Sequence, residues 1–229
     1  MCKPDNRKWL IVTGGLLAVI ITLSVILAVT LSGRASGASG VRDPANLRQA
    51  VDSIDGIPLF TAYIPEDSPG RPGVLRTVES ITIHETANTS EGADAEAHSD
   101  YLSTTSDEVS WHYTVDDHEI YHHLPDDETA YHAGDGMEKN GGNMNGIGIE
   151  MCVNSDGNYE QTLINTEKLC ARLLIEYDLN PSKALKKHQD FSGKICPSTL
   201  INSGRWDEFC SAVTAKYKEL KADEAAKAS

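Results

Sequence analysis

VESITIHE, residues 78–85, alternates apolar with polar side chains and is rich in β-branched residues. A period of two is the mark of a strand, because successive side chains point to opposite faces. Three further runs have strand character. VSWHYTVD (109–116) and EIYHHL (119–124) flank Asp117-His118, which reads as a hairpin turn. GIGIEMCV (146–153) is an apolar run short enough for a buried strand.

Helical patterns lie between and after these runs. ADAEAHSDYLSTT (93–105) follows a glycine. NTEKLCARLLIEYDL (165–179) sets Leu169, Leu173, Leu174 and Tyr177 at helical spacing and meets a stop at Asn180-Pro181. GRWDEFCSAVTAKYKEL (204–220) places Trp206, Phe209, Cys210, Val213 and Tyr217 on one face. The expected fold class is α/β (α+β), a mixed central β-sheet flanked by helices. The folded domain is expected over 51–221, with the polar tail 222–229 fraying. ANLRQAVDSI (45–54) reads as a short helix leading in. IPLFTAYIPEDSPGRPG (57–73), broken by four prolines, reads as loop with a possible edge strand. No internal repeat is visible.

Ahead of the domain, Trp9 to Ser32 contains no charged residue. Such a run is long enough, as a helix, to cross a hydrocarbon core of about 30 Å. Lys3, Arg7 and Lys8 precede it, and only Arg34 follows closely. The positive-inside rule then puts residues 1–8 in the cytoplasm, a single-pass transmembrane anchor over 9–32, a flexible linker over 33–50, and the domain outside the cell membrane. Secretion after signal cleavage is the alternative. A signal core is usually shorter, about 7–15 residues, but Ser36-Gly37-Ala38 could serve a signal peptidase.

Composition narrows the partners. Of 229 residues, 6% are aromatic and 24% charged, so the bulk should be soluble, and the formal net charge of −14 argues against nucleic acid, whose phosphates need clustered Lys and Arg. A monomer is expected.

Eight histidines and five cysteines remain to be placed. With Cys2 in the cytoplasm, four exported cysteines first suggest disulfides. Cys170 and Cys210 could pair, since both sit on helix faces; alternatively both are small buried hydrophobes. Cys152 alternates with Glu150 and reads as packed. Cys196 differs, because the loop Gly193-Lys194-Ile195-Cys196-Pro197 suits an apolar packing role poorly. A thiolate needs electropositive surroundings, which Lys194 and a metal would supply. His188 stands eight positions earlier in KHQDFSGKICP (187–197), and a zinc site of Cys and His would need a third ligand from elsewhere. His84, at a strand end where loops open, is a candidate. Taken alone, it is as readily a hydrogen-bonded surface residue.

SITIHETAN, VSWHYTVDD, YHAGD, GIGIEMC and KHQDFSGKICP occur in this order. Together they resemble the zinc-dependent N-acetylmuramoyl-L-alanine amidases of the amidase-2 type, shared by phage endolysins, bacterial autolysins and animal peptidoglycan-recognition proteins. The endolysins and autolysins of Gram-positive bacteria and their phages look nearest. The likeness runs from Ser80 to Pro197. It implies that His84, His188 and Cys196 ligate zinc and leave a fourth position open, as in catalytic sites. A closed structural site would need a fourth protein ligand, for which Cys152 and His112 are the candidates.

By the same resemblance, Glu150 is the catalytic acid–base group and Lys194 stabilises the oxyanion; the plain alternatives are a strand glutamate facing solvent and a solvated loop lysine. Some relatives carry a tyrosine where this chain has Trp111, which cannot transfer a proton and reads instead as a cleft wall. His132 falls in the Tyr-His-Ala-Gly motif that lines the family's substrate groove, and Asn88 is placed to contact peptide or sugar. His112, His122 and His123 read as structural or supporting residues, and His98 and His118 as exposed. The implied reaction is hydrolysis of the amide between N-acetylmuramic acid and L-alanine of the peptidoglycan stem. The alternative is a non-catalytic peptidoglycan-binding module.

Overall fold

A computed structural model describes residues 50–228. The expected cytoplasmic segment, anchor and nearly all of the linker lie outside the described residues. Among the described residues, no helix is long and apolar enough to cross a membrane.

The sheet is mixed and has seven strands: β1 (Asp52–Ile54), β2 (Ile57–Thr61), β3 (Ser80–Glu85), β4 (Tyr113–Val115), β5 (Ile120–His122), β6 (Gly146–Met151) and β7 (Leu185–Lys187). Their spatial order is β1-β2-β5-β4-β6-β3-β7. β4 and β5 form the expected antiparallel hairpin, while β4, β3 and β7 complete a run of parallel pairings around β6 and β3. Three parallel strands therefore deliver Glu150, His84 and the residue after Lys187 to one end of the sheet. In open sheets built of parallel strands, the carboxyl ends are where ligands bind.

Strand alternation assigns the two faces. Ile81, Ile83, Tyr113, Val115, Ile147, Ile149 and Met151 join one core with Leu169, Leu173 and Leu174 of helix α3 (Tyr159–Glu176) and with Phe209 and Val213 of helix α7 (Trp206–Ala228). Each such side chain, fully buried, contributes about 1.5–3 kcal/mol. The intervening residues Thr82, His84, Thr114, Gly148 and Glu150 take the opposite face. Helix α1 (Ala95–Thr104) covers part of that face, where Ala95 packs with Tyr121 and Cys152. A one-residue slip of β3 or β6 would send the site residues into the apolar core, so burial on the first face fixes the second.

Several sequence expectations are corrected. Residues 52–54, expected at the end of a helix, form β1, and the proline-broken segment gives β2, paired on both sides. Residues 109–112 lie outside β4. Helix α3 starts at Tyr159, earlier than its leucine spacing suggests, because Asn158 caps it through the Gln161 N–H. Helix α7 runs through Ala228, past the expected boundary at 221 and into the tail. That tail is rich in alanine and other good helix formers, and Glu224 lies 3.9 Å from Arg172 of α3. His98 is buried on α1 rather than exposed, its Nδ1 at 2.7 Å from the Asp94 carbonyl oxygen. Of the two readings of Cys170 and Cys210 the structure has the second: both are free thiols, Cys170 inside the main core and Cys210 packed against it.

Candidate active site

His84 enters the site because β3 lies between β6 and β7. Its register partner on β6 is Glu150, and the next residue along β7 after the last paired position is His188. The His188 N–H extends the ladder by donating to the Ile83 carbonyl at 3.3 Å. From there the short helix α5 (Gln189–Ser192) turns at Gly193, whose φ of 79° favours glycine, and the chain comes back so that Gln189 N–H donates to the Cys196 carbonyl. Cys196 is thus returned beside the strand it left.

Glu85 anchors that return. Its backbone N–H points at the Cys196 sulfur, 3.4 Å away. Its carboxylate, on the core side, accepts bonds from the Tyr159 hydroxyl (2.6 Å), the Ser198 hydroxyl (2.9 Å) and the Thr199 N–H (2.9 Å). The latter two donors open helix α6 (Ser198–Asn202), directly after Cys196-Pro197. Sequence reading missed this residue, because its partners are far away along the chain and no local pattern marks them.

The three candidate ligands meet. One donor atom from each of His84, His188 and Cys196 lies within 4.8 Å of the others, and all three residues are buried. His84 Nδ1 faces His188 Nδ1 at 3.0 Å. Desolvation, then neighbouring charge, holds both rings below the usual histidine range, which keeps them neutral with lone pairs available. The Ala133 backbone partly opposes this lowering at His188, and His84 Nε2 turns to His132. Two ring nitrogens and a sulfur converging at this spacing fit a metal with bonds of about 2.0–2.3 Å, and the donor set is one that zinc favours. Burial, then the nearby Glu150 charge, pushes the Cys196 thiol up to about 11 in the metal-free protein, so a cation is what would make a thiolate there.

Glu150 does not face solvent. Its side chain is 14% exposed, with Oε1 at 4.0 Å from His84 Nδ1. Oε2 is buried without a hydrogen-bond partner. Desolvation raises its carboxyl to about 8, partly offset by Lys194. A cavity of ≈ 380 Å³ opens over these groups, with Glu150, His188, Lys194, His132 and Trp111 in its walls. Lys194 is exposed at the rim. Trp111 is both wall and core: it packs with Leu102 and Leu124, and its indole N–H donates to Thr114 Oγ1 at 2.7 Å.

The remaining candidates fall away from the cluster of donors. Asn88 lies on an exposed loop outside the cavity wall, its side-chain oxygen accepting from the Ser90 N–H. His112 is fully buried, with Nδ1 accepting from the Gly148 N–H and Nε2 near the Glu128 carbonyl, and Cys152 packs beside α1. Neither belongs to the His84–His188–Cys196 group, so no fourth protein ligand closes it among the described residues.

Comparison with known proteins agrees with this arrangement. The Amidase_2 family, described as N-acetylmuramoyl-L-alanine amidase, matches residues 74–199. The N-acetylmuramoyl-L-alanine amidase XlyA of Bacillus subtilis (strain 168) is 42% identical over 155 residues, 68% of this chain and 50% of that protein. CwlH of the same organism, an N-acetylmuramoyl-L-alanine amidase, is 41% identical over 153 residues, 67% of this chain and 60% of that protein. The chain thus spans half to three-fifths of the length of these relatives. The solved catalytic domain of XlyA superposes with a TM-score of 0.65 at 41% identity, covering 69% of this chain and 99% of that one. PlyL gives 0.61 at 29% identity, covering 69% and 96%. The matched residues take in β3 through β7 and every donor atom of the site, and the chain belongs to the Amidase_2 family of N-acetylmuramoyl-L-alanine amidases.

Proposed function

We propose that the chain is a zinc-dependent peptidoglycan hydrolase, cleaving the amide between N-acetylmuramic acid and L-alanine of the stem peptide. The observation that carries this is the buried His84–His188–Cys196 cluster with the Glu150 carboxylate 4.0 Å from one of its nitrogens, beside an open cavity that His188 and Glu150 line. His84, His188 and Cys196 would hold the zinc. Zinc in such a site acts as a Lewis acid toward a carbonyl and brings the acidity of water near neutrality, to a pKa of about 7.

The chain's own groups supply the proton traffic. Glu150, low in solvent and with one oxygen unpartnered, is placed to take a proton from the attacking water and return it to the leaving L-alanine nitrogen. Trp111 offers no exchangeable phenol, so this work rests on Glu150. Lys194 at the rim brings an ammonium toward the carbonyl oxygen as negative charge develops there. Trp111 and His132 wall the cavity and limit water around the scissile amide.

The apolar stretch from Trp9 to Ser32 supports a further part of the reading, an anchored enzyme acting outside the cell membrane on the wall. Release by signal cleavage is the variant of that placement, distinguished by the N-terminus of the mature protein. A purely binding role is the less favoured reading, because all three donors and the carboxylate are present.

Purified peptidoglycan incubated with the zinc-loaded chain should yield free muramic lactyl carboxyls and new L-alanine N-termini. Retained binding with intact amides would support the recognition module instead.

A further inference from the structure

We propose that His132 is a positioning residue that fixes the His84 ring in the tautomer a metal requires, with the Gly146 carbonyl setting the direction; this rests on the reading of His84 as a ligand. The argument is one of donors and acceptors. A carbonyl oxygen only accepts. His132 Nε2 lies 3.2 Å from the Gly146 carbonyl oxygen, so Nε2 carries the ring proton. In the neutral ring, Nδ1 is then a lone pair. That lone pair is 2.9 Å from His84 Nε2, which must donate. The His84 lone pair is left on Nδ1, the atom that faces His188 Nδ1 in the group the two rings form with Cys196. One backbone carbonyl thus orients a ligand through two imidazole rings.

The surroundings hold His132 in that pose. Its ring stands at 89° to the His84 ring, with centroids 5.0 Å apart. Its backbone N–H and that of Ala133 both donate to Asn143 Oδ1, at 2.7 and 2.6 Å. The ring lies against β6 at Gly148, where a Cβ would come within 2.8 Å of ring carbon, so only glycine leaves the space. The sequence likeness had placed His132 in the substrate groove. It does wall the cavity, but both ring nitrogens are spent inside the protein.

The test uses the full chain with His132→Phe, which keeps a ring but has no nitrogen, and His132→Asn, whose amide oxygen can stand near Nδ1. Zinc dissociation constants come from competition with a chromophoric chelator, and the His84 tautomer of metal-free protein from long-range ¹H–¹⁵N spectra. Wild type should show His84 protonated at Nε2. His132→Phe should bind zinc about 10–100-fold more weakly, the usual effect of losing a partner behind a ligand, and His132→Asn should recover most of the loss. Zinc affinity of His132→Phe within twofold of wild type, or a His84 proton on Nδ1 in wild type, overturns the proposal. Should wild type bind no zinc at these residues, the metal reading fails, and the tautomer spectrum still decides the relay. If His132→Phe does not fold, the wild-type spectrum and His132→Asn decide it.

Discussion

His84 and Glu150 are register partners across the parallel pairing of β3 and β6, and their side chains meet on the same face with Nδ1 and Oε1 4.0 Å apart. Parallel register and strand alternation set this distance together. The apolar neighbours Ile83 and Ile149 are fully buried on the other face, so neither strand can slide without exposing them.

Glu150→Gln keeps the shape and removes the base. Zinc content should be unchanged by elemental analysis, while kcat for amide release falls about 10²–10⁴-fold, the range general acid–base catalysis supplies. Full turnover in this variant would remove Glu150 from its role.

Lys194→Ala tests the rim ammonium. Loss of one oxyanion donor lowers kcat by about 10²–10³-fold. The effect should fall on kcat with KM and zinc affinity little changed, because Lys194 is no part of the donor cluster. A change confined to KM would make it a ground-state contact.

Glu85→Ala removes the acceptor shared by Tyr159, Ser198 and Thr199. Leaving these donors unsatisfied should cost about 3 kcal/mol in urea unfolding of the metal-free chain. It should also weaken zinc binding, because the released segment begins directly after Cys196-Pro197. Unfolding energy lost with zinc affinity intact would show that Glu85 serves stability alone.

The fold was legible where packing leaves a periodic trace. β3 alternates from Ser80 to His84 and β6 over all six of its residues, and α7 repeats its apolar face through Trp206, Phe209, Val213 and Tyr217. β1 and β7 leave no such trace: each is three residues long, sits at a sheet edge and is only partly buried. Their pairing comes from neighbours supplied by tertiary structure. The start of α3 did carry a local signal, the Asn158 cap, but it precedes the apolar spacing. At the site, the family resemblance pointed to His84, His188 and Cys196, which the structure brings together, and to Glu150, which lies beside them. The tie at Glu85 and the two-ring relay at His132 depend on contacts between segments 14 to 114 positions apart, which no local pattern encodes.

A pH effect is expected away from the metal. Burial, then the Asp116 charge, raises the Glu119 carboxyl from its ordinary 4.5 to about 7, with Glu96 and Asp94 adding and His118 opposing. Between those values the folded chain holds a proton that the unfolded chain has released. Stability from this group is therefore complete below pH 4.5 and is lost as pH rises through about 7. With its side chain 16% exposed, solvent screening limits the effect to about 1 kcal/mol. Glu119→Gln should flatten that share of the fall in urea stability between pH 5 and pH 8; an unchanged slope would count against it.

The most direct measurement is a zinc titration of the metal-free full chain on purified peptidoglycan, counting new L-alanine N-termini by mass spectrometry. Hydrolysis should be absent without metal, rise in proportion to added zinc and saturate at one zinc per chain, with Cys196→Ala silent throughout. Amide cleavage without zinc, or none at full zinc occupancy, would contradict the account.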